Sequence, residues 1–87
     1  MGGKFYYVYI LRSLKDGLFY VGYSEDLRQR LTEHNSGKNY STKNRRPLEL
    51  IFYEAFLHKS DALRREGYLK STKGKVTLRL MLKEYLK

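Results

Sequence analysis

A short stretch near the beginning of the chain constrains the fold most strongly. Residues 5–12 read FYYVYILR, with apolar or aromatic side chains on both alternations of an extended chain. A strand with two apolar faces must be covered on both sides. The apolar run is far shorter than the roughly 18 residues of a membrane-spanning helix. The stretch therefore predicts a central strand, and no membrane partner is expected.

Turn signals and hydrophobic patterns divide the rest of the chain. Asp16-Gly17 tolerates the positive φ angles of a hairpin, so residues 18–23 are expected to return as a second strand. Gly22 inside that strand indicates a place where something approaches the backbone closely. Residues 48–57 predict a third strand. The 87 residues suit one domain spanning 1–87.

Three helices are expected around these strands. Ser24 can cap a first helix that ends at Gly37, and Ser60 can cap a second helix that runs to about residue 71. A break at residues 73–75 then precedes a third helix over residues 76–86. The order strand, strand, helix, strand, helix, helix predicts an α+β fold, a small three-stranded antiparallel sheet flanked by helices. The apolar face of the third helix would consist of Leu78, Met81, Leu82 and Tyr85.

The charge balance points to a polyanionic partner. Eighteen Lys and Arg against nine Asp and Glu give a net charge of +9, which favours nucleic acid but does not separate DNA from RNA. Cysteine is absent, which excludes disulfides and thiolate metal sites and favours an intracellular, cytoplasmic setting. Two basic patches are predicted to contact DNA phosphates, or else to be solvated surface: Lys38, Lys43, Arg45 and Arg46 in one loop, and Lys70, Lys73 and Lys75 farther along.

Three charged or titratable residues lie where helical patterns favour apolar ones. A rotation of roughly 100° per residue places Arg30 and His34 beside the apolar stripe of the first helix. The same rotation places Glu66 in the middle of the apolar face of the second helix, where an unpaired carboxylate is costly. Glu66 therefore needs Arg, Lys or a metal ion. An ion pair between Arg30 and Glu66 is one solution, and His34 also suits a helix-end histidine with its ring locally satisfied.

These residues together resemble the GIY-YIG nuclease superfamily, especially short stand-alone members related to the nuclease domain of the excision-repair endonuclease. Tyr7-Val8-Tyr9 resembles the GIY half-motif and Tyr20-Val21-Gly22 the YIG half-motif. Arg30 follows Tyr20 by ten positions and His34 comes one turn later, as in members of that family. Glu66 lies where the family keeps its metal-binding glutamate. The sequence departs from the pattern at Tyr7, where GIY has Gly, and at Tyr23, where many members have Lys.

The resemblance implies a metal-dependent DNA endonuclease with little sequence specificity, acting in DNA repair or processing. Glu66 would hold Mg²⁺ or Mn²⁺, and Arg30 would contact the scissile phosphate. Tyr9 or Tyr20 would accept a proton from the attacking water, with its pKa lowered by nearby cations, and His34 would relay the proton or hold a phosphate. A monomer is expected. The alternatives are a binding module that has lost the reaction and a basic RNA- or ribosome-associated protein.

The same resemblance leads to a geometric expectation. Tyr9, Tyr20, Arg30 and Glu66 should converge on one concave site, with His34 at its edge. Strand alternation and helical rotation aim these side chains at a common region.

Overall fold

A three-stranded antiparallel sheet forms the middle layer of the protein, whose computed structural model describes residues 3–87. The strands are β1 (Tyr6–Ser13), β2 (Phe19–Ser24) and β3 (Leu48–Phe56), in the spatial order β2-β1-β3. With the helices, the order is β-β-α-β-α-α, which confirms the predicted α+β fold. β2 and β3 are therefore the edge strands, and β1 is the central strand.

Three helices cover the two faces of this sheet. They are α1 (Leu27–Asn35), α2 (Lys59–Lys70) and α3 (Thr72–Met81), and a 3₁₀ turn at Lys43–Arg45 interrupts the loop between α1 and β3. None of the helices in residues 3–87 has the length and apolar character needed to cross a bilayer.

The central strand is buried on both faces, as its sequence predicts. Val8 and Ile10 pack with residues of α2 and α3, forming one apolar cluster with Ala62, Leu69 and Leu78. Tyr9 and Leu11 point to the opposite face, where Leu27 and Leu31 of α1 and Leu48 and Leu50 of β3 pack against them. Because neighbouring strand residues face opposite sides, one strand supplies two separate cores. α1 therefore packs on one face, and α2 and α3 on the other.

Two glycines in the β1–β2 hairpin have distinct roles. Gly17 has a φ of +75° and closes the turn, as the Asp-Gly signal predicts. Gly22 lies opposite Tyr9 in the β1–β2 register, and a Cβ there would overlap the Tyr9 ring. The close approach expected at Gly22 is confirmed, and the approaching group is an aromatic side chain of the protein itself.

The capping residues predicted for α1 and α2 are wrong. The Asp26 side chain, and not that of Ser24, accepts a hydrogen bond from the backbone N–H of Gln29 at 3.0 Å. The Ser24 hydroxyl is used one step earlier, on the backbone of Asp26. α2 begins at Lys59, before Ser60, with His58 as an N-cap whose side chain makes no capping bond. Gly37, with a φ of +81°, follows the end of α1 as predicted.

The boundary between α2 and α3 also differs from the prediction. The chain breaks at Ser71, whose hydroxyl accepts from the backbone N–H of Gly74, so Gly74 lies inside the first turn of α3. A Cβ at Gly74 would overlap the backbone carbonyl of Tyr68, so the glycine permits close packing of the two helices and is not a helix breaker. Of the predicted apolar face, Leu78 is buried and Leu82 half-buried, whereas Met81 and Tyr85 are exposed.

Candidate functional site

A chain of buried polar groups lies on the α1 face of the sheet. The Tyr9 hydroxyl is 2.8 Å from His34 Nε2, and His34 Nδ1 is 2.7 Å from the hydroxyl of Thr42. All three residues have a relative exposure of 0%. β1 supplies Tyr9, the last turn of α1 supplies His34, and the basic loop supplies Thr42. Buried polar groups are tolerated when they satisfy one another, and these three do so.

Tyr20 packs beside this chain and is only half-buried. Its ring centroid is 5.1 Å from that of His34 and 6.3 Å from that of Tyr9. Gly22 makes the arrangement possible, because the missing side chain leaves room for the Tyr9 ring to extend over β2. The glycine of the second half-motif therefore accommodates the tyrosine of the first. The structure brings Tyr9, Tyr20 and His34 into mutual contact.

Arg30 borders this cluster at the edge strand β2. Its Nη1 donates to the carbonyl oxygen of Tyr23 at 3.1 Å, and its Nε lies 3.2 Å from a Glu33 carboxylate oxygen. The side chain is 37% exposed. It lines a cavity of about 310 Å³ that is open to solvent between the end of β2 and the first turns of α1. The remaining lining residues are Tyr23, Ser24, Glu25, Asp26, Gln29 and Glu33.

Glu66 lies on the helix that covers the opposite face of the sheet. Its carboxylate is 3.0 Å from Lys70 Nζ, one turn later on α2, and its side chain is only 19% exposed. The cation that its position requires is therefore Lys70, and the alternative of an Arg30–Glu66 ion pair is wrong. Glu66 does not line the cavity that Arg30 lines, so the structure does not gather all four predicted residues into one concavity.

Electrostatics nevertheless connect Glu66 with the tyrosine cluster. Burial raises the pKa of Tyr9 to about 12, Tyr20 adds to the rise, hydrogen bonding and charge from Arg30 oppose it, and the negative charge of Glu66 raises it further. Burial also raises the pKa of Tyr23 to about 12, and Glu66 makes the smallest contribution to that rise. The expected lowering of the Tyr9 pKa by nearby cations is wrong, because burial outweighs Arg30.

His34 is deeply buried, and the expectation that it lies at the edge of the site is wrong. Burial and then the charge of Arg30 lower its pKa, while Glu33 opposes them. The ring is therefore neutral near pH 7, with one nitrogen protonated and the other able to accept. The interpretation of His34 as a helix-end histidine with a satisfied ring describes what the structure shows.

The oxygen ligands available for a metal ion are few. Within residues 3–87, no group of three or more His, Asp or Glu side chains could hold an ion together. Mg²⁺ is commonly bound through one or two carboxylates, with water and substrate phosphate completing its shell. A single half-buried carboxylate at position 66, reachable once Lys70 releases it, fits that pattern of ligation.

The predicted basic loop divides into structural and exposed cations. Arg45 Nε lies 2.9 Å from an Asp16 carboxylate oxygen, and its Nη2 donates to the carbonyl of Leu18 at 3.1 Å. Hydrogen bonding from Arg45 is the main reason that the pKa of Asp16 falls to about 2. Arg45 therefore ties the loop to the hairpin and is committed to the fold. Lys38, Lys43 and Arg46 remain exposed.

The second basic patch is larger than the sequence pattern indicated. Lys70 is paired with Glu66 and Lys73 is exposed, while Lys75 lines a cleft of about 360 Å³ together with Arg12 and Arg79. Neither arginine was singled out from the sequence. Lys75 and Arg79 are four residues apart on α3 and so share a helix face, a signal that was hidden because the helix was expected to begin at residue 76.

Comparisons with known proteins agree with this architecture. Residues 5–79 match the family described as the GIY-YIG catalytic domain. A UPF0213 protein of Staphylococcus saprophyticus is 40% identical over 77 residues, which cover 87% of this chain and 93% of that protein. The YazA protein of Bacillus subtilis, also of the UPF0213 group, is 44% identical over 66 residues, covering 75% and 66%. The solution NMR structure of a UPF0213 protein from Bacillus halodurans is 39% identical, covers 88% and 84%, and superposes with a TM-score of 0.56.

Proposed function

Since this chain belongs to the GIY-YIG catalytic domain family, we propose that it is a metal-dependent endonuclease that hydrolyses phosphodiester bonds of DNA. The observation that supports this most is the position of Tyr20. This half-exposed phenol packs on the buried Tyr9–His34 pair, and Arg30 acts on the same pair from the neighbouring helix. A nucleophile-activating group beside a cation suits attack on a phosphate diester.

The two tyrosines have different roles in this proposal. Tyr20 accepts the proton of the attacking water, because its side chain is the one that solvent reaches. Tyr9 has no exposed surface and a pKa near 12, so it holds its proton and positions its neighbours. His34, neutral and buried, anchors Tyr9 through Nε2 and does not contact the substrate.

Arg30 contacts the scissile phosphate. Its guanidinium is held at the edge of β2 by the Tyr23 carbonyl, and enough of it is exposed to donate to a phosphate oxygen. Glu33 occupies part of that guanidinium, and a phosphate would compete with it for the same N–H groups. The charge of Arg30 would then stabilise the negative charge that develops on the phosphate oxygens.

Glu66 is the residue that would hold the divalent cation, Mg²⁺ or Mn²⁺. When bound, such an ion supplies Lewis-acid stabilisation of charge on phosphate and leaving-group oxygens. Lys70 neutralises the same carboxylate in its absence, which explains how Glu66 can remain charged on a half-buried helix face. Competition for the carboxylate between Lys70 and the cation follows directly from their shared position.

Exposed cations outside the site would position the DNA backbone. Lys38, Lys43 and Arg46 belong to the loop beside α1, and Lys73 and Lys75 belong to the α3 patch. Phosphate contacts of this kind carry no sequence information, so little sequence specificity is proposed, with a role in DNA repair or processing. Binding should weaken steeply with salt through counterion release, and an affinity that is flat across a salt titration would count against these surfaces.

The test is a cleavage assay on labelled duplex, nicked, branched and single-stranded DNA, and on RNA, with Mg²⁺, Mn²⁺ or chelator. Glu66→Gln should abolish cleavage while DNA binding survives, and Arg30→Ala should weaken both. Glu84→Gln and Arg64→Ala are matched controls, because both residues are exposed and pair only within their own turn of chain. Glu66→Gln protein that cuts DNA at the wild-type rate would exclude a metal-binding role for Glu66.

A binding module without catalysis is the second candidate. The observation that favours it is the Glu66–Lys70 ion pair, which occupies the only carboxylate assigned to the metal. In that case Glu66→Gln and Lys70→Ala should change the melting temperature by similar small amounts, since i,i+4 pairs contribute only about 0.3–0.5 kcal/mol. Salt-sensitive DNA binding without cleavage under either metal would support this alternative.

A further inference from the structure

Thr42 is an unusual member of the basic loop because its side chain is completely buried. Its neighbours Ser41, Lys43 and Asn44 are exposed, whereas Thr42 has a relative exposure of 0%. Its hydroxyl lies 2.7 Å from His34 Nδ1. A buried hydroxyl costs free energy unless it is hydrogen-bonded, so this single contact accounts for its position.

The direction of the hydrogen bonds follows from what each group can donate. A neutral histidine carries one N–H, so one ring nitrogen donates and the other accepts. Arginine is only a donor, and Arg30 acts on the Tyr9 oxygen. If Tyr9 also accepted from His34, its own proton would need another buried acceptor. Tyr9 therefore donates to Nε2, and the His34 proton lies on Nδ1 and is donated to Thr42.

We propose that Thr42 is a positioning residue for the nuclease site. By accepting from Nδ1, its hydroxyl holds His34 in the Nδ1–H tautomer, so that Nε2 can accept the Tyr9 proton. The Tyr9 oxygen then presents its lone pairs toward Arg30, the residue proposed to contact the scissile phosphate. This inference rests on the proposed function for its effect on cleavage, but its effect on the tautomer is independent of catalysis.

The location of Thr42 connects two parts of the molecule. The loop that carries Lys38, Lys43 and Arg46 toward solvent is the same loop that carries Thr42 into the core. Backbone bonds from Thr42 N to Asn39 O and from Arg45 N to Thr42 O fix the residue within that loop. A shift of the loop on binding a phosphate backbone would therefore be felt at His34 and Tyr9.

Three variants separate positioning from simple anchoring of the loop. Thr42→Val keeps the branched shape and removes the hydroxyl, whereas Thr42→Ser keeps the hydroxyl. Ser13→Ala is the matched control, because the Ser13 hydroxyl is also buried and also ties this loop down, donating to Arg45 O at 2.6 Å, but does not contact His34. For each variant, the His34 ring nitrogens are observed by ¹⁵N NMR, and cleavage is measured per folded molecule.

We expect the wild type and Thr42→Ser to show a protonated Nδ1 and an unprotonated Nε2. Thr42→Val should move His34 toward the other tautomer and lower cleavage by roughly 10- to 100-fold, the usual range for losing a supporting hydrogen bond to a site histidine. The proposal is overturned if Thr42→Val leaves the tautomer unchanged, or if Ser13→Ala reproduces its effects. Wild-type protein that shows the Nδ1–H tautomer and its loss in Thr42→Val, but no cleavage, would contradict the nuclease function and leave the tautomer assignment intact.

Discussion

The two faces of the sheet differ in chemistry although one strand supplies both. Toward α2 and α3, β1 contributes Val8 and Ile10 to a cluster whose buried members are all aliphatic. Toward α1, the same strand contributes Tyr9, which is hydrogen-bonded to His34. The aliphatic face needs only shape and area for its stability. The polar face needs matched donors and acceptors, which add less stability but fix orientation. A chain this small can therefore devote one face to folding and the other to the site.

A substitution at the α2–α3 junction should have the largest effect. In Gly74→Ala the new Cβ would overlap the backbone carbonyl of Tyr68, which cannot rotate away, so we expect a loss of about 4 kcal/mol or more. Gly67→Ala is the control, because a Cβ at position 67 meets nothing within 4 Å and alanine favours a helix by about 0.5–1 kcal/mol. Chemical denaturation of both variants would test this, and equal stabilities would show that the helices can separate without cost.

A truncation in the aliphatic cluster should come next. Leu69 is fully buried between the sheet and α3, so Leu69→Ala should cost about 2–5 kcal/mol through lost contacts and a cavity. Leu80→Ala, at a position 67% exposed on α3, should cost far less. If the two faces are functionally separate, folded Leu69→Ala protein should cut DNA at the wild-type rate. A large loss of cleavage at full folding would show that the faces are coupled.

Removal of one hydroxyl tests the polar face. Tyr9→Phe leaves His34 Nε2 without its partner in a buried position, which should cost about 1–3 kcal/mol. Because Tyr9 orients its neighbours in the proposed site, cleavage per folded molecule should also fall, unlike in Leu69→Ala. Tyr53→Phe, on a side chain 51% exposed, serves as the control in thermal melts and cleavage assays. Wild-type activity in Tyr9→Phe would mean that the hydroxyl has only a structural role.

The difference between the faces also explains what the sequence revealed. Apolar alternation in β1 and the glycine opposite Tyr9 are local patterns, and both led to correct predictions about the fold. The role of Arg45 was not readable, because its partner Asp16 lies 29 residues away and a basic loop gives no sign of such a pairing. Gly74 was misjudged for the same reason, since its constraint comes from packing between two helices. Thr42 has no motif of its own, and only burial identifies it.

The smallest expected effect concerns pH and belongs to the polar face alone. Burial, and then Arg30, lower the pKa of His34 in the folded protein below its ordinary value near 6.5. The unfolded chain therefore binds a proton at this residue at a higher pH than the folded protein does. Stability is full above about pH 6.5 and falls as the pH drops toward the folded pKa, by at most about 1.4 kcal/mol per pH unit.

His34→Gln removes this titration and keeps a side chain that can hydrogen-bond. Asp16 and Glu25, whose pKa values fall to about 2 mainly through hydrogen bonds from Arg45 and Lys4, titrate in a more acidic window. Urea denaturation of wild type and His34→Gln at several values between pH 7.5 and 5 isolates the histidine. The wild type should lose stability across this range and the variant should lose less, because the aliphatic cluster contains nothing that titrates there. Equal slopes for the two proteins would mean that the buried histidine accepts its proton without cost and that the polar face is open to water.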